Sequence, residues 1–143
     1  KSLNIKCMAD IVLNHRVGGE LELNENFNSI QGPTNFKKVK SGKCVWDYRF
    51  FYPTKKESND LGKFNDYPDI AHTILNKNQS AGDDLIEWGQ WLKNNSNAGF
   101  NGGWRFDYVK GINPSFISKF RRITNTPFCI LECWSDIDYI EKY

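Results

Sequence analysis

Three short, nearly continuous apolar runs constrain this chain more than any other feature. They are Lys6 to Leu13 (KCMADIVL), Gly102 to Val109 (GGWRFDYV) and the FCILECW stretch that follows Pro127. Runs of this length and character read as strands buried on both faces. Helical patterns separate them. Ser80 can cap a helix that runs to about Asn94, with Asp83 and Asp84 in its first turn and Leu85, Ile86, Trp88, Trp91 and Leu92 recurring as a core-facing set. Asn113–Pro114 opens a second helix, Ser115 to about Ile123, with proline at its first turn, and a third begins near Asp136. Strands alternating with helices imply parallel pairing through crossover connections, so the expected fold class is α/β. Three strands make an open sheet, whereas a closed eight-stranded barrel takes about 250 residues. Both termini fall inside the alternation, which predicts an internal piece of a larger fold that is inactive and poorly folded alone.

Between the first strand and the first helix the pattern changes. From Arg16 to about Tyr67, Gly, Asn, Lys, Ser and aromatics mix without period, a stretch too long for a plain connection and read as a functional excursion. Its basic cluster, Lys37, Lys38, Lys40 and Lys43, reads as a solvated loop face. The 19 basic and 17 acidic residues are interspersed and leave a net charge of +2, which offers no footprint for nucleic acid or an acidic membrane. No apolar run approaches the roughly 20 residues that span a bilayer. The chain starts at Lys1 without a visible leader, and the sequons at Asn78 and Asn94 leave the compartment open. The four cysteines are Cys7, Cys44, Cys129 and Cys133; three of them sit in apolar strand-like runs as small hydrophobes, and Cys129 and Cys133 lack zinc-pair spacing with nearby histidines.

Polar residues gather where the strands end. Period two puts Arg105 and Asp107 on one face of their strand and Trp104 and Phe106 on the other. Glu132 closes the last strand, and Asn14 and His15 follow the first. In parallel α/β folds ligands bind beyond the carboxyl ends of strands, so these side chains converge on one mouth. Two carboxyl groups there suit glycosidic chemistry, one protonating the leaving oxygen and the other attacking the sugar or activating water. Arg105 would keep Asp107 ionised, and a dry pocket would raise the pKa of Glu132. The plainer alternative is an ion pair at the sheet's end and a helix cap.

Three motifs carry a resemblance. Asp10 to His15 (DIVLNH), Gly103 to Gly111 (GWRFDYVKG) and Glu132 to Trp134 (ECW) resemble, in order, short signatures of the α-amylase family (glycoside hydrolase family 13). YPDIAHTILN, LIEWGQWLK and GFNGGWRFD look most like its plant-type members. The resemblance implies part of a (β/α)8 TIM barrel, about strands 3 to 5. Residues 1–15 would be strand 3, 16–67 an inserted domain B, and 68–143 helix 3 through strand 5 and the start of the next helix. It implies retaining endo-hydrolysis of α-1,4-glucosidic bonds in starch, glycogen or maltooligosaccharides, by a protein that is monomeric when full length. The alternatives are a transglycosylase or branching enzyme, or a catalytically dead carbohydrate-binding homologue. Asp107 matches the nucleophile and Glu132 the acid/base. His15, Arg105, Lys110 and Trp134 fall in the substrate-binding set.

The resemblance also implies a structural Ca2+ held by Asn14, Asp69 and the Gly111 carbonyl; plain turn roles for Asn14 and Asp69 are the alternative. Two departures bear on that ion. Ala71 stands where plant-type members carry an aspartate, and Lys63 near a further one, with Asp60 or Asp66 as substitutes. The aromatics Trp46, Tyr48, Phe51 and Tyr52 have two readings, a glucan-lining wall or the small core of domain B.

Overall fold

The computed structural model describes residues 4–16, 22–23, 31–32, 46–54, 64–65, 67–76, 78–95 and 102–143. Its strands are β1 (Met8–Val12), β2 (Glu22–Leu23), β3 (Gln31–Gly32), β4 (Leu75–Asn76), β5 (Gln79–Ser80), β6 (Gly103–Asp107) and β7 (Cys129–Leu131). Its α-helices are α1 (Ala81–Asn95), α2 (Pro114–Ile123) and α3 (Ile137–Ile140). The three expected strands form one parallel sheet in the order β1-β6-β7. The alternation is therefore observed as α/β, each strand ending sooner than its apolar run. β2 pairs antiparallel with β3, and β4 with β5, as two-residue ladders.

Both long helices start where side-chain caps allow. Ser80 Oγ accepts the Asp83 amide at 3.0 Å and donates to Asp83 Oδ2 at 2.7 Å. Asn113 Oδ1 accepts the Ser115 amide at 2.9 Å, ahead of Pro114 at the first helical position. The helices cover one face of the sheet. Trp104 and Phe106 are fully buried there, each edge-on to Phe120 of α2 at 5.6 Å. Gly89 lets α1 approach α2, since a Cβ at that position would lie 2.5 Å from Phe120 Cζ.

The face of α1 differs from expectation. Gly82, Leu85, Ile86 and Gly89 are buried and Trp88 packs at their flank, while Trp91 is 58% exposed. Trp91 lies two positions beyond Gly89, about 200° round a 3.6-residue helix, and so falls on the outer side. Cys7 is likewise exposed, just before β1 begins, whereas burial raises the thiol pKa of Cys129 and Cys133.

Trp46, Phe50 and Phe51 are buried, which favours the core reading of the aromatic segment. They do not form a core of their own. They join the cluster shared by sheet and helices, and the Trp46 indole donates to Asp84 Oδ2 of α1 at 2.7 Å. Arg16 lies over the Trp46 ring, 4.1 Å from its centroid. Of the rest of the excursion, Lys37, Lys38, Lys40, Lys43, Cys44, Asp60, Lys63 and Asp66 lie outside the described residues. No described helix is long and apolar enough to cross a membrane.

Candidate active site

The uncovered face of the sheet carries the charged residues. Register sets Asp10, Arg105 and Ile130 level across the three strands, with Val12 and Asp107 level two residues nearer the carboxyl ends. Arg105 is the hub. Its Nη1 donates to Asp107 Oδ1 at 2.6 Å and to Asp10 Oδ1 at 2.8 Å, and Nη2 lies 3.1 Å from Glu132 Oε2. Carboxylates from all three strand segments thus converge on one guanidinium. Hydrogen bonds to Asp10 first and Asp107 second push the Arg105 pKa above its ordinary value.

Glu132 is positioned by the chain that leaves β6. Tyr108 adopts a left-handed backbone (φ 45°, ψ 64°), which ends the strand and turns its amide toward Glu132 Oε2 at 3.1 Å. The Trp134 indole donates to Oε1 at 3.0 Å, and Trp134 itself is 73% exposed. The Tyr108 amide, the Trp134 indole and the Arg105 charge lower the Glu132 pKa, only partly opposed by burial. The expected upward shift is therefore not observed: donors hold the carboxylate, and the mouth leaves it partly open to solvent.

His15 follows β1, is buried, and forms a bridge with Asp69. Its ring stacks almost parallel on Phe64 (4.7 Å, 7°) and on Tyr67 (5.4 Å, 17°). Burial lowers its pKa, against the opposing charge of Asp107. Beside it, Asn14 Nδ2 donates to Asp69 Oδ1 at 2.9 Å, with both residues fully buried. Asn14 Oδ1 has no hydrogen-bond partner among the described residues, an expensive state for a buried polar atom. A Cβ on Gly111 would lie 2.0 Å from that oxygen and 2.5 Å from Asp69 Oδ2. Glycine thus leaves room where an amide oxygen and a buried carboxylate converge. Oxygen donors of this kind fit a hard cation such as calcium. Among the described residues no three His, Cys, Asp or Glu side chains form a metal-binding group, so any such ion would depend on amide and backbone oxygens as well.

Of the residues singled out in the sequence, Asp107, Glu132, Arg105 and Trp134 meet in one cluster. His15, Asn14, Asp69 and Gly111 form a second beside it. Lys110 stands apart: its carbonyl accepts the Tyr139 hydroxyl at 2.7 Å, and its ammonium lowers the pKa of the Cys133 thiol rather than bonding either carboxylate. Sequence reasoning missed Asp10, the Tyr108 amide, and the stacking role of Phe64 and Tyr67. It also missed Tyr143, whose hydroxyl donates to the Val109 and Ile112 carbonyls at 2.6 and 2.7 Å and pins the turn that carries Gly111. For Asp10, period two gives only the face it shares with Val12; its place opposite Arg105 comes from strand register. The others depend on long-range packing that leaves no periodic trace.

No family model matches the chain. Two curated plant proteins do. "Probable alpha-amylase 2" of Arabidopsis thaliana is 28% identical over 144 residues, covering 97% of this chain and 30% of that protein. "Alpha-amylase 3, chloroplastic" of the same plant is 27% identical over 139 residues, covering 96% of this chain and 14% of that protein. The chain is α-amylase-like along almost its whole length, and spans less than a third of either relative.

Proposed function

We propose that this chain supplies two reacting carboxylates of a retaining endo-hydrolase acting on α-1,4-linked glucans of the starch and glycogen type. The observation that carries the reading is the convergence of Asp107 and Glu132, from neighbouring strands, on Arg105. The likeness to proteins named alpha-amylase supports the choice of glucan. In this reading β1, β6 and β7 are an arc of a (β/α)8 barrel, and residues 16–67 are an inserted domain beside the mouth.

Asp107, paired with Arg105, attacks the anomeric carbon and forms a glycosyl ester. Glu132 gives its proton to the departing glucan oxygen and then takes one from the water that cleaves the ester. For the first step Glu132 must be protonated, although its donors favour the anion. A glucan that engages the exposed Trp134 indole and dries the mouth would push the carboxyl back toward its protonated form. His15, held by Phe64 and Tyr67, faces the same site and would donate to a sugar hydroxyl.

The Asn14 Oδ1, the Asp69 carboxylate and the Gly111 carbonyl would hold a calcium ion. When bound, the ion would supply positive charge that binds the Asp69 segment to the ends of β1 and β6.

The test is product analysis with the complete protein that carries this chain. Starch should yield mixed oligosaccharides whose new reducing ends first appear as the α-anomer by proton NMR. Asp107→Asn should lose turnover by orders of magnitude and leave no covalent adduct with a fluorinated glucosyl trap. A β-anomer appearing first, or full turnover in the Asn variant, sinks the reading.

A further inference from the structure

Arg105 serves three carboxylates with one positive charge, and only Asp107 and Glu132 have a role in the reaction proposed above. Asp10 is the third. Its Cα pairs directly with that of Arg105 across the parallel strands, so the contact follows from register rather than from a chance surface encounter. Its Oδ1 shares Nη1 with Asp107, at 2.8 Å against 2.6 Å. Asp10 also lies two residues deeper along the strand than the level of Asp107, roughly 6–7 Å at the usual rise. A sugar bridging Asp107 and Glu132 at the mouth would therefore leave Asp10 beneath it.

We propose that Asp10 is a positioning residue for the candidate active site: it anchors the Arg105 guanidinium from below, and so sets how much of its charge and hydrogen bonding reaches Glu132. This rests on the reading of Asp107 and Glu132 as the reacting pair. Two observations favour it over an idle surface ion pair. Strand register holds Asp10 opposite Arg105, and its Oδ1 accepts from Nη1 at 2.8 Å, the length of a charge-assisted hydrogen bond. The guanidinium is also fixed on its far side by Glu132, so movement at one carboxylate is felt at the other. Among the described residues, the titratable and charged groups that bear on Glu132 are Asp107 and Arg105 from β6, with Asp10 acting through Arg105 from β1.

The test reads protonation rather than turnover, so its failure is distinguishable from failure of the proposed reaction. Glu132 and Asp107 are followed by carboxyl 13C NMR through an acid titration of the complete protein that carries this chain and of its Asp10→Asn and Asp10→Glu variants. Asp10→Asn removes the third negative charge and leaves only a neutral acceptor, so more of the guanidinium charge falls on the remaining carboxylates and the Glu132 midpoint should fall by roughly half a unit, a modest shift for partly exposed charges. Asp10→Glu should restore most of it. An unchanged Glu132 midpoint in a folded Asp10→Asn chain overturns the proposal. Should that variant not fold, the unsubstituted protein decides: a hydrogen-bond coupling from the Arg105 Nη1 protons to the Asp10 carboxyl carbon should be detected by NMR, and its absence overturns the proposal equally.

Discussion

The backbone amide of Tyr108 lies 3.1 Å from Oε2 of Glu132, across 24 residues of sequence. Tyr108 takes a left-handed conformation immediately after β6, so the strand stops there and its amide meets the Glu132 side chain while the next amide, of Val109, takes the Glu132 carbonyl. The candidate nucleophile and the donor that holds the candidate acid are therefore consecutive residues.

Glu132 should titrate below its ordinary 4.5 in the folded chain. A depressed carboxyl pKa stabilises the fold at pH values above the unfolded value, and that contribution is lost as pH falls through the folded value. Trp134→Phe removes the indole donor from a well-exposed side chain. The Glu132 midpoint should then move upward in a 13C titration with the fold intact. A midpoint that stays put would mean the indole contact carries no weight in solution.

His72 is buried, stacks on Phe116 at 4.3 Å, and its Nε2 donates to the Leu13 carbonyl at 2.8 Å. Burial pushes its pKa down to about 4, from 6.5. Between those values the unfolded chain binds a proton that the folded chain refuses, so stability should fall as pH drops through the window. The loss is of the order of 3 kcal/mol. Urea unfolding of the parent chain at both ends of the window measures it, and His72→Gln should show a much flatter dependence.

Gly111→Ala should destabilise the chain by about 1–3 kcal/mol, the usual penalty of overpacking, because its methyl group would press on Asn14 Oδ1 and Asp69 Oδ2. Added calcium should raise the melting temperature of the parent chain, and chelation should reverse the rise. Asn14→Ala and Gly111→Ala should respond weakly or not at all. An equal calcium response in all three would place the ion elsewhere.

Core and surface aromatics should separate cleanly on substitution. Phe120→Ala empties the contact between α2 and the sheet and should cost about 3–5 kcal/mol. Trp91→Ala, on the outer side of α1, should stay within about 0.5 kcal/mol of the parent in chemical denaturation.

The sequence by itself determined what depends on neighbours along the chain. Alternation placed Trp104 and Phe106 inward and Arg105 and Asp107 outward, and the caps at Ser80 and Asn113 marked two helix starts. Such features rest on backbone period and on hydrogen bonds a few residues long. Tertiary structure alone decided which side chains stand opposite one another. Strand register set Asp10 on Arg105, packing brought Asn14 to Asp69 across 55 residues, and the rotation of α1 on the sheet left Trp91 outside. The sign of the Glu132 shift was decided there too. A strand-end glutamate is visible in sequence, but whether its surroundings donate hydrogen bonds or merely exclude water depends on a Tyr108 amide and a Trp134 indole that only the fold brings to it.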